Sequence, residues 1–289
     1  MRDGHVHLWR HDAPASTPSL DELATITSTA QTAEVDHVVI AEHFYRFRQS
    51  AGVLEGSWSD DSDENLRLAT ARVVDRERTA DLDGYVAAIQ RGQGAGLPLS
   101  LGLELDYAPG ADEALGEFVA AYPFDVILGS IHWLGAWLFD AYDDPVFGSA
   151  WERRSVPCAW DDYTRCFEAL CASRLCDVVA HCDLVKVAGR IPRNRTGWED
   201  RMVAAIVAAP IAVEVSSAGW RKAIGEPYPS LQLLDRLIAQ EVWLVLGSDA
   251  HEPALIGYRF DELSALLRSR GVSTVAEFRA RESEMVALS

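Results

Sequence analysis

The chain has 289 residues, 48% of them apolar, which is enough to bury one large core; no shift in composition marks a boundary, so residues 1–289 are read as a single domain. Its 26 basic against 44 acidic residues give a net charge of −18, which repels a phosphate backbone and excludes nucleic acid as a bulk partner. The opening MRDGHVHLWRHD lacks the basic and apolar runs of a secretory signal, and no stretch approaches the ~18 apolar residues of a membrane span, so a cytoplasmic protein without membrane contact is expected, as monomer or homodimer.

Seven short β-branched runs, at residues 2–6, 36–41, 99–104, 125–131, 176–180, 211–215 and 242–246, alternate with longer amphipathic stretches. That alternation predicts parallel strands joined by helices. Ser19 followed by Glu22 is a capping box, predicting a helix that begins there; residues 160–173 and 231–240 repeat apolar positions at three and four and predict two more. Residues 49–63 and 189–197 are polar and rich in turn formers, and are expected to be loops. Five cysteines at spacings without C-x-x-C are expected to be reduced thiols.

The chemistry concentrates where predicted strands end. His5 and His7 follow the first, His43 the second, His132 the fourth, His181 the fifth and His251 the seventh, while Glu104 ends the third, Glu214 lies in the sixth and Asp249 follows the seventh. In barrels of alternating strands and helices, side chains at the C-terminal strand ends converge on one mouth, so groups scattered through the sequence can meet. Each residue alone is more often a hydrogen-bonded structural group than a ligand; their joint occurrence reverses that reading. The H-x-H pair puts two imidazoles on one side of an extended strand, a workable geometry for two ligands on one ion.

The segments DGHVH (3–7), AEHF (41–44), GLELDY (102–107), GSIHWLGAWLFD (129–140), AHCDLVK (180–186), EVSSAGWRKAIGEPYPS (214–230) and GSDAHEP (247–253) together resemble the PHP (polymerase and histidinol phosphatase) superfamily, in its histidinol-phosphatase branch. The resemblance implies a distorted seven-stranded (β/α)7 TIM-like barrel carrying two or three divalent metal ions, Zn, Mn or Fe, and metal-assisted hydrolysis of a small phosphate ester, L-histidinol phosphate above others. Carried over by motif, His5, His7, Glu104 and Asp249 would hold a first metal. Glu104 would bridge to a second with His132 and His181, and His43 and His251 would hold a third. The last ligand of that third site falls on His11 or Asp12, with Asp12 favoured. Glu104, Asp249 and His251 are the expected catalytic members.

For the substrate, a phosphate monoester calls for cations, and Arg221, Lys222, Arg190 and Lys186 are the candidates. Glu226 and Tyr228 are candidates for reading an amine or an imidazole, and Trp133, with Trp137 and Phe139, for a stacking wall or lid. Ser216 and Ser217 stand where the family carries Asn-Thr. Three rivals are weighed. An amidohydrolase needs a bridging lysine on a middle strand, whereas Lys186 lies past a strand end; a phosphodiesterase or nuclease suits the acidic balance poorly; a non-catalytic module predicts gaps in the ligand set, and there are none.

Overall fold

Every one of the seven runs forms a strand in the computed structural model, which describes residues 1–288. In chain order they are β1 (Arg2–Val6), β2 (His37–His43), β3 (Leu99–Asp106) and β4 (Val126–Ser130); after a small antiparallel hairpin of β5 (Trp133–Leu134) and β6 (Trp137–Leu138) come β7 (Val178–Val179), β8 (Ala212–Ser216) and β9 (Leu244–Gly247). The seven are hydrogen-bonded in parallel in the order β1-β2-β3-β4-β7-β8-β9. All eight residues of β3 are buried, as a strand covered on both faces must be.

The sheet curls until its two edges meet. His7 N–H donates to the Ala250 carbonyl at 2.8 Å and Asp249 N–H to the His5 carbonyl at 2.9 Å. Across the same seam the buried Asp3 carboxylate accepts from Ser248 N–H and Gly257 N–H, both at 2.9 Å. The result is a nearly closed (β/α)7 barrel of the kind expected.

The helices start where their caps dictate. Ser19 Oγ accepts from Glu22 N–H at 3.2 Å and Glu22 Oε2 from Ser19 N–H at 2.7 Å, which closes the capping box and opens the helix Leu20–Thr32. The helix predicted at 160–173 begins earlier, at Val156, because Ser155 caps it and Pro157 occupies its first turn. The helix predicted at 231–240 runs over Leu231–Ala239. Within the predicted 49–63 loop a short helix, Glu55–Ser59, buries Trp58; one apolar anchor among polar neighbours leaves no periodicity to detect. Residues 189–195 are loop, with the helix Thr196–Ala208 following.

The largest strand pair without a counterpart among the predicted elements lies near the C-terminus. An antiparallel hairpin of β10 (Thr274–Arg279) and β11 (Glu282–Ala287) covers the N-terminal end of the barrel, with Ala276 and Phe278 packed toward Val126, Val178 and Val245. Arg281 pairs with Asp177 at 2.9 Å and Arg2 with Glu277 at 2.5 Å to fasten it. Its turn places Ala280 and Arg281 at positive φ without the Asn-Gly or Asp-Gly that usually betrays such a hairpin, and its outer strand is almost entirely exposed. No described helix is long and apolar enough to cross a membrane, and all five cysteines are free thiols, four of them buried.

Candidate metal centre

The predicted strand-end groups meet at the C-terminal mouth of the barrel. His5 and His7, two apart on β1, turn their Nε2 atoms toward each other at 3.0 Å. Glu104 Oε2 lies 3.5 Å from each of those nitrogens, and Asp249 Oδ1 is 3.3 Å from His7 Nε2. The other oxygen of the same carboxylate, Glu104 Oε1, is 2.9 Å from His181 Nε2 and 3.4 Å from His132 Nε2. One fully buried carboxylate therefore faces two separate groups of imidazoles. On the far side of His7, the Nε2 atoms of His43 and His251 are 3.3 Å apart.

His11 and Asp12 divide clearly. The His11 ring stacks on His251 with centroids 3.9 Å apart and lies 5.7 Å from His43, whereas Asp12 points into solvent, at positive φ, and pairs with Arg76 at 2.5 Å. The preference for Asp12 is thus reversed: the turn after β1 carries its side chain away from the cluster, and His11 is the residue beside His43 and His251.

Behind the inner groups stands a second layer of carboxylates. Glu214 accepts from His5 Nδ1 at 3.0 Å and from the His181 backbone N–H at 2.7 Å; Asp106 accepts from His132 Nδ1 at 2.7 Å and from the Tyr45 N–H at 2.9 Å. Each such bond fixes an imidazole with its Nε2 lone pair aimed into the cluster. Glu42, fully buried, accepts the N–H groups of Leu8 and Trp9 and so orients the turn after the H-x-H pair. Gly247 is required by this arrangement, because a Cβ there would come within 1.9 Å of Glu214 Oε1. Asp106 and Glu42 are not among the site residues expected from the sequence, although Asp106 is two residues from Glu104 on the same strand face, which is the signal that finds it.

The charge balance calls for cations. Glu104, Asp249, Glu214, Asp106 and Glu42 are gathered in one buried volume, and the only basic groups paired with them among the described residues are imidazoles. Burial alone would raise the Glu104 carboxyl; the imidazoles of His43, His132 and His5 more than reverse it and hold its pKa well below the ordinary range. Burial keeps His43 and His251 well below the usual imidazole value, and so neutral, as ligands must be. Opposed by burial, Glu104 and Asp106 push His132 up to about 10. Glu104 Oε2 is completely enclosed, with His43 Nδ1 2.7 Å away but no aligned hydrogen bond, a costly state for a carboxylate oxygen and an imidazole nitrogen that a bound ion would relieve. Imidazole nitrogens and carboxylate oxygens converging at 3.0–3.5 Å, with their other atoms tied to outer carboxylates, fit divalent metals.

Beyond the cluster opens a cleft of about 590 Å³, walled by the helix Glu64–Glu77 and the segment 138–147, with His43 and His132 at its floor and Lys222 at its side. The comparison with known proteins agrees with this geometry. A PHP domain model matches residues 4–218. The chain belongs to the PHP family. It is 32% identical over 212 residues to a Deinococcus radiodurans protein named "Probable histidinol-phosphatase", covering 72% of this chain and 80% of that one. Its fold is similar to that of the "putative histidinol phosphatase hisK" of Listeria monocytogenes, with a TM-score of 0.69, 17% identity, and coverage of 91% of this chain and 99% of that one. It is equally similar to histidinol phosphate phosphatase of Lactococcus lactis solved with zinc, L-histidinol and phosphate, with a TM-score of 0.68, 15% identity and 98% coverage of each chain.

Among the cations and polar groups singled out for substrate, only some face the PHP site. Lys222 does, beside His11 and His251. Trp133 lines this outer cleft, held by its indole N–H to Thr70 Oγ1 at 3.2 Å, and Tyr228 lines a small inner pocket that it shares with His132, His181, Asp249 and His251. Arg221 instead donates to the Ser248 and Asp249 carbonyls at 3.0 and 2.8 Å, which holds Asp249 in its left-handed conformation (φ 50°). Lys186 is completely buried, its ammonium 3.0 Å from both Asp183 and Glu226 and 2.8 Å from the Pro227 carbonyl, so neither it nor Glu226 is free for substrate. Arg190 is an exposed partner of Glu152. Trp137 and Phe139 are fully buried packing groups rather than a lid, with the Trp137 indole donating to the Phe147 carbonyl at 3.0 Å.

Proposed function

We propose that this chain is a metal-dependent phosphomonoesterase that hydrolyses L-histidinol phosphate to L-histidinol and phosphate. The observation that carries the reading is Glu104, whose two oxygens address His5 with His7 on one side and His132 with His181 on the other, the arrangement of a carboxylate shared between two ions. His5, His7, Glu104 and Asp249 would hold one metal, Glu104, His132 and His181 a second, and His43, His251 and His11 a third. The mixed imidazole and carboxylate set suits Zn, Mn or Fe, and the zinc in the Lactococcus lactis relative favours zinc.

Divalent cations in that cluster would neutralise phosphoryl charge, activate water and stabilise the departing alkoxide. The chain's own groups do the placing. Glu214 and Asp106 hold His5 and His132 in the metal-binding tautomer, Arg221 holds the backbone that presents Asp249, and Lys222 sets an ammonium at the side of the cleft to meet phosphate oxygens. The name of the 32%-identical relative supports the choice of ester. The test is phosphate release by the metal-loaded protein. A kcat/KM of about 10⁴ M⁻¹s⁻¹ or above on L-histidinol phosphate bears the proposal out. Comparable or better turnover of unrelated phosphate monoesters keeps the chemistry and discards the substrate.

A further inference from the structure

Asp140 is an anion where an anion is out of place. It follows the β5–β6 hairpin and lines both the inner pocket and the outer cleft, at the junction between them, in the space a phosphate ester must enter. The residue before it is held at both its backbone groups, since the Phe139 N–H donates to the His132 carbonyl at 3.2 Å and the Phe139 carbonyl accepts the Trp151 indole N–H at 2.9 Å. Its Oδ1 is buried yet has no hydrogen-bond partner, and it forms no ion pair within 4.0 Å among the described residues, not even with Lys222 across the pocket. It belongs to none of the imidazole and carboxylate groups close enough to share an ion. A carboxylate in this place feels the imidazoles of His132 and His11 but is bonded to neither, and it repels the substrate's phosphate, so a positively charged group entering the pocket is the partner it lacks.

A second unpartnered group faces the same space. The Tyr228 hydroxyl, on a side chain only 1% exposed, has no hydrogen-bond partner in the inner pocket. Its backbone is clamped to Ser216 by two hydrogen bonds, at 2.6 and 3.0 Å, and its ring lies under the Lys186 ammonium, 5.0 Å from the ring centre. It cannot turn away to find a donor elsewhere.

We propose that Asp140, assisted by the Tyr228 hydroxyl, is the specificity subsite for an ammonium group on the leaving alcohol, so that the site takes phosphate esters of amino alcohols in preference to neutral esters. Asp140 accepts from the ammonium through its enclosed Oδ1, as does the phenolic oxygen of Tyr228, and an aminated substrate supplies the donor that both atoms lack. The inference rests on the phosphatase reading above and adds the residue that selects the substrate. A site built around an unpaired acceptor rejects analogues that lack the donor far more strongly than a merely apolar pocket rejects a change of shape.

The experiment compares L-histidinol phosphate with its des-amino analogue, 3-(imidazol-4-yl)propyl phosphate, on metal-loaded wild type and D140N. Wild type should prefer the aminated ester by roughly 10- to 100-fold in kcat/KM. In D140N most of that preference should vanish, through a raised KM for the aminated ester, while metal content stays at the wild-type level. Equal losses on both esters, or loss of metal, would overturn the proposal by returning Asp140 to the metal centre or to the fold. Should D140N fail to fold, wild type still decides: equal kcat/KM on the two esters overturns the inference. If wild type hydrolyses p-nitrophenyl phosphate but neither imidazole ester, the amino-alcohol assignment falls while the phosphatase chemistry stands; if it hydrolyses none of the three, the phosphatase reading falls with it.

Discussion

The two ends of the barrel are built from the same seven strands and obey opposite rules. At the C-terminal mouth, imidazoles and carboxylates crowd within 3.5 Å of one another, His181 and Asp249 sit at positive φ, and Asp140 Oδ1 and the Tyr228 hydroxyl lack partners. At the N-terminal end the interior is lined by Val126, Val178, Val245 and Ala276, capped by the β10–β11 hairpin, and the charged groups there, Arg2 with Glu277 and Arg281 with Asp177, are paired. The contrast teaches where this molecule keeps its function and where it keeps its stability: the mouth holds unsatisfied groups where a ligand is expected to meet them, and the opposite end pairs the charges that fasten its hairpin.

Substitutions at the two ends should separate activity from stability, and the largest effect belongs to the mouth. E104Q removes the shared charge while keeping the shape, and should lower kcat/KM by at least ~10²–10³-fold with the far-ultraviolet circular dichroism unchanged. Next come the outer carboxylates. D106N or E214Q leaves every inner ligand in place but frees an imidazole to rotate, and should weaken metal binding roughly 10- to 100-fold in a competition titration against a chelator. At the opposite end the pattern inverts: V126A, at a residue 2% exposed, should cost about 1–3 kcal/mol of stability in urea unfolding, with kcat unaltered at a temperature where the variant is folded. A large fall in kcat for V126A would break the division.

The smallest effect concerns pH. His37, half-buried at the N-terminal end with Nε2 2.8 Å from Ser100 Oγ, is lowered to about 4 by burial and by the neighbouring Arg2. Because that folded value lies below the unfolded value of ~6.5, its contribution to stability is full above pH ~6.5 and is lost as pH falls toward 4. H37Q should flatten part of the stability loss between those pH values, and an unchanged profile would show that His37 is not the group responsible.

Most of the mouth is legible in the sequence, because a barrel converts position along the chain into position in space: a His or Glu at a strand end points to the same mouth whichever strand carries it. His5, His7, His43, Glu104, His132, His181, Asp249 and His251 are all found that way. The rest needs geometry finer than a strand end. Choosing between adjacent His11 and Asp12 depends on one turn with Asp12 at φ 64°, which sends its side chain out to Arg76. Lys186 and Glu226 read as separate substrate contacts because nothing local shows that residues 40 apart form one partly buried ion pair. The outer carboxylates Asp106 and Glu42 are hidden by their more conspicuous neighbours. The β10–β11 hairpin lacks the turn residues that announce a hairpin, and its exposed strand carries no apolar alternation.

The central claim is that the mouth is a multinuclear metal centre organised by one shared carboxylate, and the direct test is the metal content of wild type and E104Q by elemental analysis after reconstitution with zinc and removal of free ion. Two to three zinc ions per wild-type chain, falling by at least one in E104Q, is the predicted result. One ion or none in wild type, or full occupancy retained in E104Q, would contradict it.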